Sequence, residues 1–193
     1  MNISEKNKFF LWLIPKCGTT HAVKIFNRIG DDIIFEHTHD HYYPENHLEY
    51  DFIATIRNPY SRFVSLFRYS LDGDSILKVD IKNLKSEFND FVSKMVQQSP
   101  LMRGYYFKQR LPDYTLRLEH LYYDYIKIPF ILKSPLYRSS ELLELCRIKE
   151  NESPSLKQIP WQDFYTETTA DLVYYSTANT FELGQYKKDS WRS

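Results

Sequence analysis

Short apolar runs, separated by polar or helical segments, recur along the chain. Continuous apolar runs of this length are typical of strands buried inside a parallel sheet. They predict strands at residues 9–14 and 52–56, a further short strand at residues 32–35, and a late strand at residues 114–118.

Between these runs, apolar residues recur at helical spacing. Residues 20–29 place their apolar side chains on one face, which predicts an amphipathic helix directly after the first strand. Asn58 is a preferred N-cap residue and Pro59 suits a first helical position, so a second helix is predicted after the strand at residues 52–56. Further helices are predicted at residues 88–96, 140–146 and 168–181. This alternation predicts an α/β fold with a central, mostly parallel sheet flanked by helices.

Length and charge bound the organisation of the chain. A chain of 193 residues can bury one sizeable core, so residues 1–193 are expected to form a single domain. The 25 basic residues balance the 25 acidic residues, which disfavours bulk binding to nucleic acid or to a membrane surface. Any anion site must therefore come from the local placement of a few groups. The sequence does not indicate an oligomeric state.

Cysteine usage and the N-terminal apolar run bear on the compartment. The two distant cysteines, Cys17 and Cys146, do not make a disulfide framework, and a reducing compartment is the simpler expectation. The apolar run at residues 9–15 is too short for a secretory core or a membrane span, and Lys16 follows at once. A soluble, cytoplasmic protein without a membrane span is expected.

A turn rich in groups that bind anions joins the first predicted strand to the first helix. It consists of Pro15, Lys16, Cys17, Gly18, Thr19 and Thr20. A tight turn into a helix exposes backbone N–H groups and the positive end of the helix dipole. Gly18 lets the backbone approach an anion, Thr19 and Thr20 can donate hydroxyls, and Lys16 adds a mobile positive charge. The turn is not a Walker A loop, because the lysine precedes the glycine.

A second candidate anion site follows the strand at residues 52–56. Arg57 lies at the predicted carboxyl edge of the sheet, where α/β proteins bind ligands, and an arginine can grip a phosphate with two hydrogen bonds. Ser65 follows eight residues later, about 12 Å of helical rise further on. The two segments together suit one nucleotide that carries phosphate at both ends of its ribose.

This pair of motifs resembles the sulfotransferases that use 3′-phosphoadenosine-5′-phosphosulfate (PAPS), and more narrowly the carbohydrate sulfotransferases of the uronyl 2-O type. The resemblance implies a P-loop-like, three-layer fold. It implies that the turn, namely Lys16, Cys17, Gly18, Thr19 and Thr20, holds the 5′-phosphosulfate, and that Arg57 and Ser65 hold the 3′-phosphate. Two later segments match more loosely: Glu119, Leu121 and Asp124, and the stretch from Phe181 to Tyr186.

A histidine-rich segment between the two motifs supplies candidates for the catalytic base. In extended backbone His37, His39 and His41 would share one face. A neutral imidazole can accept the proton of an acceptor hydroxyl, and the resemblance matches His37 and His39 to an H-x-H pair. Glu36 is the alternative base, because a glutamate serves in other heparan-type enzymes. Two other interpretations stay open: a zinc site built from the three imidazoles, and a solvated polar loop.

The expected function is transfer of a sulfuryl group from PAPS to a hydroxyl, on a carbohydrate, with 3′-phosphoadenosine-5′-phosphate (PAP) as product. Lys16 would neutralise the leaving group. The resembling family needs no metal, so none is expected. Two alternatives remain: a non-catalytic module that binds a nucleotide or a sulfated glycan, and a P-loop nucleotide kinase, which the order of lysine and glycine disfavours.

Overall fold

The computed structural model describes residues 2–29, 32–33, 47–73, 81–98, 110–148 and 154–192. The chain forms two compact units. The first comprises Met1–Arg57 and Phe107–Asn151, and the second comprises Asn58–Tyr106 and Glu152–Ser193. Each unit has its own cluster of buried apolar side chains. The organisation of residues 1–193 as a single domain stays a prediction.

The described residues contain four strands and a series of α-helices. The strands are β1 (Asn2–Ser4), β2 (Phe9–Trp12), β3 (Asp51–Ile56) and β4 (Tyr114–Arg117). The α-helices are α1 (Thr19–Arg28), α2 (Pro59–Gly73), α3 (Leu84–Gln98), α4 (Leu121–Tyr125), α5 (Pro129–Leu132), α6 (Pro135–Arg138), α7 (Glu141–Arg147), α8 (Glu167–Ser176) and α9 (Ala178–Gly184).

The first unit contains a four-stranded sheet in the order β1-β2-β3-β4. Strands β2, β3 and β4 run parallel, and β1 pairs antiparallel with β2. The register pairs Phe10 with Phe52 and Ile53 with Tyr114. The α/β class and the mostly parallel sheet are therefore confirmed, as are the strands predicted near residues 9–14, 52–56 and 114–118.

Helices of the first unit cover one face of this sheet. Leu11 and Ile53 from the sheet share a buried cluster with Ile25 and Phe26 of α1 and with residues of α4 to α7. In the central strands β2 and β3 the opposite side is also buried, as shown by Phe10 and Phe52. Such burial explains why these strands read as continuous apolar runs rather than as alternating patterns.

The predicted strand at residues 32–35 is not observed at Asp32 and Ile33, and the other two positions lie outside the described residues. The carboxylate of Asp32 instead accepts hydrogen bonds from the Ser4 hydroxyl at 2.6 Å and from the Lys6 backbone N–H at 2.9 Å. The Asp32 side chain therefore binds the turn that follows β1.

The second unit is helical and is built around aromatic side chains. Tyr60, Phe88 and Tyr165 are fully buried and pack with Phe164 and Phe181. The Tyr165 hydroxyl donates to the carbonyl of Tyr60 at 2.8 Å. Burial raises the pKa of Tyr60 to about 12, so its phenol stays protonated in the physiological range.

In the second unit, the predicted start of α2 is observed, but a single helix predicted near the C-terminus is divided in two. Helix α2 begins at Pro59, and the Asn58 side-chain oxygen accepts from the Tyr60 backbone N–H at 3.0 Å, as expected for an N-cap. The single helix predicted at residues 168–181 is wrong, because it is interrupted at Thr177 to give α8 and α9. Thr177 has non-helical backbone angles, φ −128° and ψ 26°, and its hydroxyl donates back to the carbonyl of Val173 at 2.7 Å.

Within the described residues, no helix combines the length and the apolar character that crossing a membrane requires.

Candidate functional site

The turn between β2 and α1 has a backbone suited to binding an anion. Gly18 is the N-cap of α1 and has left-handed backbone angles, φ 85° and ψ 26°. A left-handed residue followed by right-handed helical residues directs successive N–H groups into one concave nest, which is a common anion-binding arrangement. The N–H groups of residues 18–20 therefore face the same region at the positive end of the α1 dipole.

The described side chains at the start of α1 do not cap its first N–H groups. Gly18 offers no side-chain acceptor as N-cap, and the first turn of α1 contains no acidic residue. The first N–H groups of a helix lack intrahelical acceptors, so they need a cap, water or a ligand. An anion can accept hydrogen bonds from these donors and is stabilised by the positive end of the helix dipole.

Glycine at position 18 is favoured chiefly by its backbone conformation and also by a close neighbour. Its positive φ is rarely adopted by residues that carry a Cβ atom, and a Cβ built at this position would lie 2.8 Å from Leu118 Cδ1. Leu118 immediately follows β4. The packing of Leu118 over Gly18 therefore links the end of β4 to the turn.

Arg57 reaches the same turn from the end of β3. Its Nη1 donates a hydrogen bond to the carbonyl oxygen of Lys16 at 3.4 Å, and the arginine is half-buried. Lys16 itself has φ 64°, a left-handed value. The predicted position of Arg57 at the carboxyl edge of the sheet is observed, and the guanidinium and the lysine turn lie side by side.

The side chains within the turn differ in where they point. Cys17 is 1% exposed, and its backbone N–H already donates to the carbonyl of Ile14 at 3.1 Å. The Thr19 hydroxyl donates to the same carbonyl at 3.3 Å, whereas Thr20 is exposed. Cys17 and the Thr19 hydroxyl therefore stabilise the turn from inside. The backbone of residues 18–20, with Lys16 and the exposed Thr20, is the candidate anion-binding part of the turn.

Ser65 lies in α2, in the second unit, and is half-buried. Its assignment to the same phosphate as Arg57 stays a prediction. Within the described residues of the first unit, Arg57 connects the second motif to the first.

A buried hydroxyl that the sequence analysis missed lies beneath the turn. Thr55 of β3 is fully buried, and its Oγ1 accepts from the Ile14 N–H at 3.1 Å and donates to the carbonyl of Trp12 at 3.3 Å. The available signal was a single hydroxyl residue within the apolar run of residues 52–56. That signal is weak, because threonine is also an ordinary strand residue.

Asp124 forms a second buried polar anchor in the first unit. Its carboxylate accepts from Arg117 Nε at 2.8 Å, from Arg117 Nη2 at 2.7 Å and from Lys127 Nζ at 2.8 Å. Burial raises the pKa of Asp124, but hydrogen bonds from Arg117 and Lys127 outweigh it and hold the pKa below its ordinary value. Asp124 also accepts from the Arg117 backbone N–H at 3.0 Å, so it holds the end of β4, directly before Leu118.

His21, in the first turn of α1, has a structural role. It is buried, and its Nε2 lies 3.1 Å from the carbonyl oxygen of Leu145. A carbonyl can only accept, so Nε2 carries the proton and Nδ1 is the acceptor that faces the Tyr125 hydroxyl at 3.5 Å. The ring joins α1 to α7 and α4.

The candidate bases Glu36, His37 and His39 lie outside the described residues, and so does His41. Their roles stay predictions. In the ranges that the structure describes, no group of three His, Cys, Asp or Glu residues is arranged to hold a metal ion.

Comparison of the chain with protein-family models, with curated proteins and with solved structures found no match. A functional assignment therefore depends on the site itself and on the sequence motifs that form it.

Proposed function

We propose that this chain is a PAPS-dependent sulfotransferase that moves a sulfuryl group to a hydroxyl on a carbohydrate. The observation that supports it best is the meeting of two motifs at one sheet edge. Arg57 donates to the backbone of Lys16, beside a turn whose N–H groups converge after the left-handed Gly18. Two cationic side chains and a nest of N–H donors suit a ligand with several phosphate or sulfate groups.

The backbone order at this edge also supports a P-loop-like, three-layer fold. Strand β2 leads through the turn into α1, and β3 returns parallel to β2 and carries Arg57 at its end. In α/β proteins this edge is where phosphorylated ligands bind. The lysine precedes Gly18, unlike the lysine of a Walker A loop, so ATP with Mg²⁺ is the poorer fit.

Each group of the site has a separate role in the proposed reaction. PAPS supplies the sulfuryl group: its bond to the 5′-phosphate oxygen breaks as the bond to the acceptor oxygen forms. The N–H groups of residues 18–20 hold the 5′-phosphate. Lys16 stabilises the negative charge that grows on that phosphate, and Arg57 holds the 3′-phosphate. His37 or His39, with Glu36 as the alternative, takes the proton of the acceptor hydroxyl.

A transfer assay tests the proposal. The chain is incubated with sulfur-35-labelled PAPS and desulfated heparan-type, chondroitin-type and dermatan-type polysaccharides, and label on the polymer is counted. We expect transfer to at least one uronate-containing acceptor without added Mg²⁺. Binding of PAP without transfer to any acceptor would contradict catalysis and support the non-catalytic module.

The role of Lys16 has its own test. Lys16→Gln removes the charge. Both side chains carry a Cβ atom, so the cost of the left-handed backbone at this position, φ 64°, stays the same. We expect turnover to fall by about 100-fold, the scale for loss of one preorganised charge-stabilising group, while PAP affinity falls far less. Lys24→Gln, at an exposed position on α1, is the matched control and should retain turnover. Equal losses of turnover and PAP affinity for Lys16→Gln would remove it from the chemical step.

A further inference from the structure

We infer that Thr55 is the positioning residue that sets the geometry of the anion-binding turn, an inference that rests on the proposed function. Parallel pairing between β2 and β3 ends with Trp12 opposite Ala54. Beyond that pair, the backbone of β2 leaves the sheet to enter the turn. The next residue of β3, Thr55, forms hydrogen bonds with residues 12–14 through its side-chain hydroxyl.

Both hydrogen bonds of Thr55 act on this departing segment. Its Oγ1 accepts from the N–H of Ile14 at 3.1 Å and donates to the carbonyl of Trp12 at 3.3 Å. Thr55 is fully buried, so water cannot replace either bond easily. The hydroxyl therefore specifies where Ile14 lies relative to β3.

Ile14 transmits this position to the turn. Its carbonyl oxygen accepts from the Cys17 N–H at 3.1 Å and from the Thr19 hydroxyl at 3.3 Å. These two donors flank Gly18, the residue whose left-handed conformation forms the nest. The backbone of a single residue, Ile14, thus connects the Thr55 hydroxyl, through its N–H, to both sides of the anion-binding backbone, through its carbonyl.

Strand β3 consequently contributes to the site twice. Thr55 holds the start of the turn, and Arg57, two residues later, donates to the Lys16 carbonyl at 3.4 Å. A site whose donors are fixed before the ligand arrives binds more tightly, because less ordering is needed on binding. Thr55 contacts no ligand in this account and acts only through the backbone of the turn.

Two substitutions separate the hydroxyl from the shape of the side chain. Thr55→Val keeps the branched shape but removes the hydrogen bonds of the hydroxyl to the Ile14 N–H and the Trp12 carbonyl. Thr55→Ser keeps the hydroxyl and loses one methyl group. We expect Thr55→Val to weaken binding of PAP and of inorganic pyrophosphate by about tenfold, the equivalent of one hydrogen bond, and Thr55→Ser to restore most of that affinity.

Ser4→Ala is the matched control for a general loss of stability. Ser4 is also fully buried in the sheet of the first unit, and its hydroxyl donates to Asp32. Calorimetric titrations are made where urea unfolding shows each variant to be folded. Ser4→Ala should lose stability and keep its affinity for both ligands.

The outcomes separate the inference from the proposed function. If the wild-type chain binds PAP and Thr55→Val binds it with the same affinity, the inference is overturned and the proposed function is unaffected. Loss of affinity in Thr55→Ser equal to that in Thr55→Val would also overturn it, because shape rather than the hydroxyl would then be responsible. If the wild-type chain bound neither PAP nor pyrophosphate, the proposed function would fail and the inference with it.

Discussion

The guanidinium of Arg57 donates a hydrogen bond to the carbonyl oxygen of Lys16, with Nη1 and O 3.4 Å apart. The two residues come from different strand ends and lie 41 positions apart in the chain. Arg57 therefore does more than present a charge at its own strand end. It also supports the turn that carries Lys16, so a hydrogen bond couples the two candidate phosphate-binding motifs.

Replacing Gly18 should damage both stability and binding. Gly18→Ala places a Cβ atom at φ 85°, which costs about 1–2 kcal/mol in the left-handed region, and brings that atom to 2.8 Å from Leu118 Cδ1. We expect the free energy of unfolding, measured in urea, to fall by about 2 kcal/mol. PAP affinity should fall with it, because the nest of N–H groups loses its shape.

A double-mutant cycle with Leu118→Ala separates the two contributions to the Gly18 result. If the close approach of Leu118 contributes, the double variant will be more stable than the sum of the single effects predicts. Strictly additive losses would assign the whole cost to the backbone angle. A fully stable Gly18→Ala variant would contradict the left-handed conformation itself.

Asp124→Asn should be strongly destabilising at neutral pH. The substitution removes the carboxylate that faces Arg117 and Lys127 and leaves a cationic group without its buried partner. We expect a loss of about 3 kcal/mol, at the low end for breaking a buried ion pair. Lys127→Ala, which removes the exposed partner, should cost less than about 1 kcal/mol.

The Asp124 effect should also depend on pH in one direction. The folded-state pKa of Asp124 is lowered relative to the unfolded chain, where it is about 3.9. Its contribution to stability is therefore fully present above that unfolded value and is lost as pH falls through the folded pKa. In urea titrations, the gap between wild type and Asp124→Asn should narrow as pH falls below about 4. A constant gap down to acid unfolding would show that the charge is not responsible.

Asn58 should be replaceable by aspartate but not by alanine. Its side-chain oxygen caps α2 through the Tyr60 N–H at 3.0 Å, and its amide donates to the Ser190 hydroxyl at 3.0 Å. Asn58→Ala should lose about 1–2 kcal/mol of stability in thermal or urea unfolding. Asn58→Asp keeps the cap, favours the helix dipole and can accept from Ser190, so it should remain close to wild type. Equal losses in both variants would show that the cap is unimportant.

The central strands β2 and β3 were predictable because they are buried on both sides. Continuous burial leaves an apolar run that the sequence displays directly, as at residues 52–56. Strand β1 was not predicted, since its three residues, Asn2–Ser4, are mostly polar and pair only at the edge of the sheet. The break between α8 and α9 was missed because it lies in the non-helical backbone angles of Thr177, which the spacing of apolar residues does not reveal.

The site was predictable in its residue types but not in its connections. The order of Lys16, Gly18 and Arg57 relative to the strands was enough to place them at one sheet edge. The sequence could not show that the Cys17 N–H is already engaged by Ile14, or that Thr55 holds the start of the turn. Those contacts depend on the register between β2 and β3, which pattern analysis does not specify.

The most direct test of the central claim is calorimetric titration of the chain with PAP and with 5′-AMP, without Mg²⁺, followed by ATP with Mg²⁺. We predict that PAP binds at least about tenfold more tightly than 5′-AMP, a difference of about 1.4 kcal/mol. Arg57→Ala should remove most of that preference and also weaken 5′-AMP modestly through the Lys16 turn. Arg28→Ala, which removes an exposed arginine at the end of α1, should change neither the preference for PAP nor the affinity for 5′-AMP. Equal affinity of the wild-type chain for PAP and 5′-AMP, or a preference for ATP with Mg²⁺, would contradict the sulfotransferase assignment.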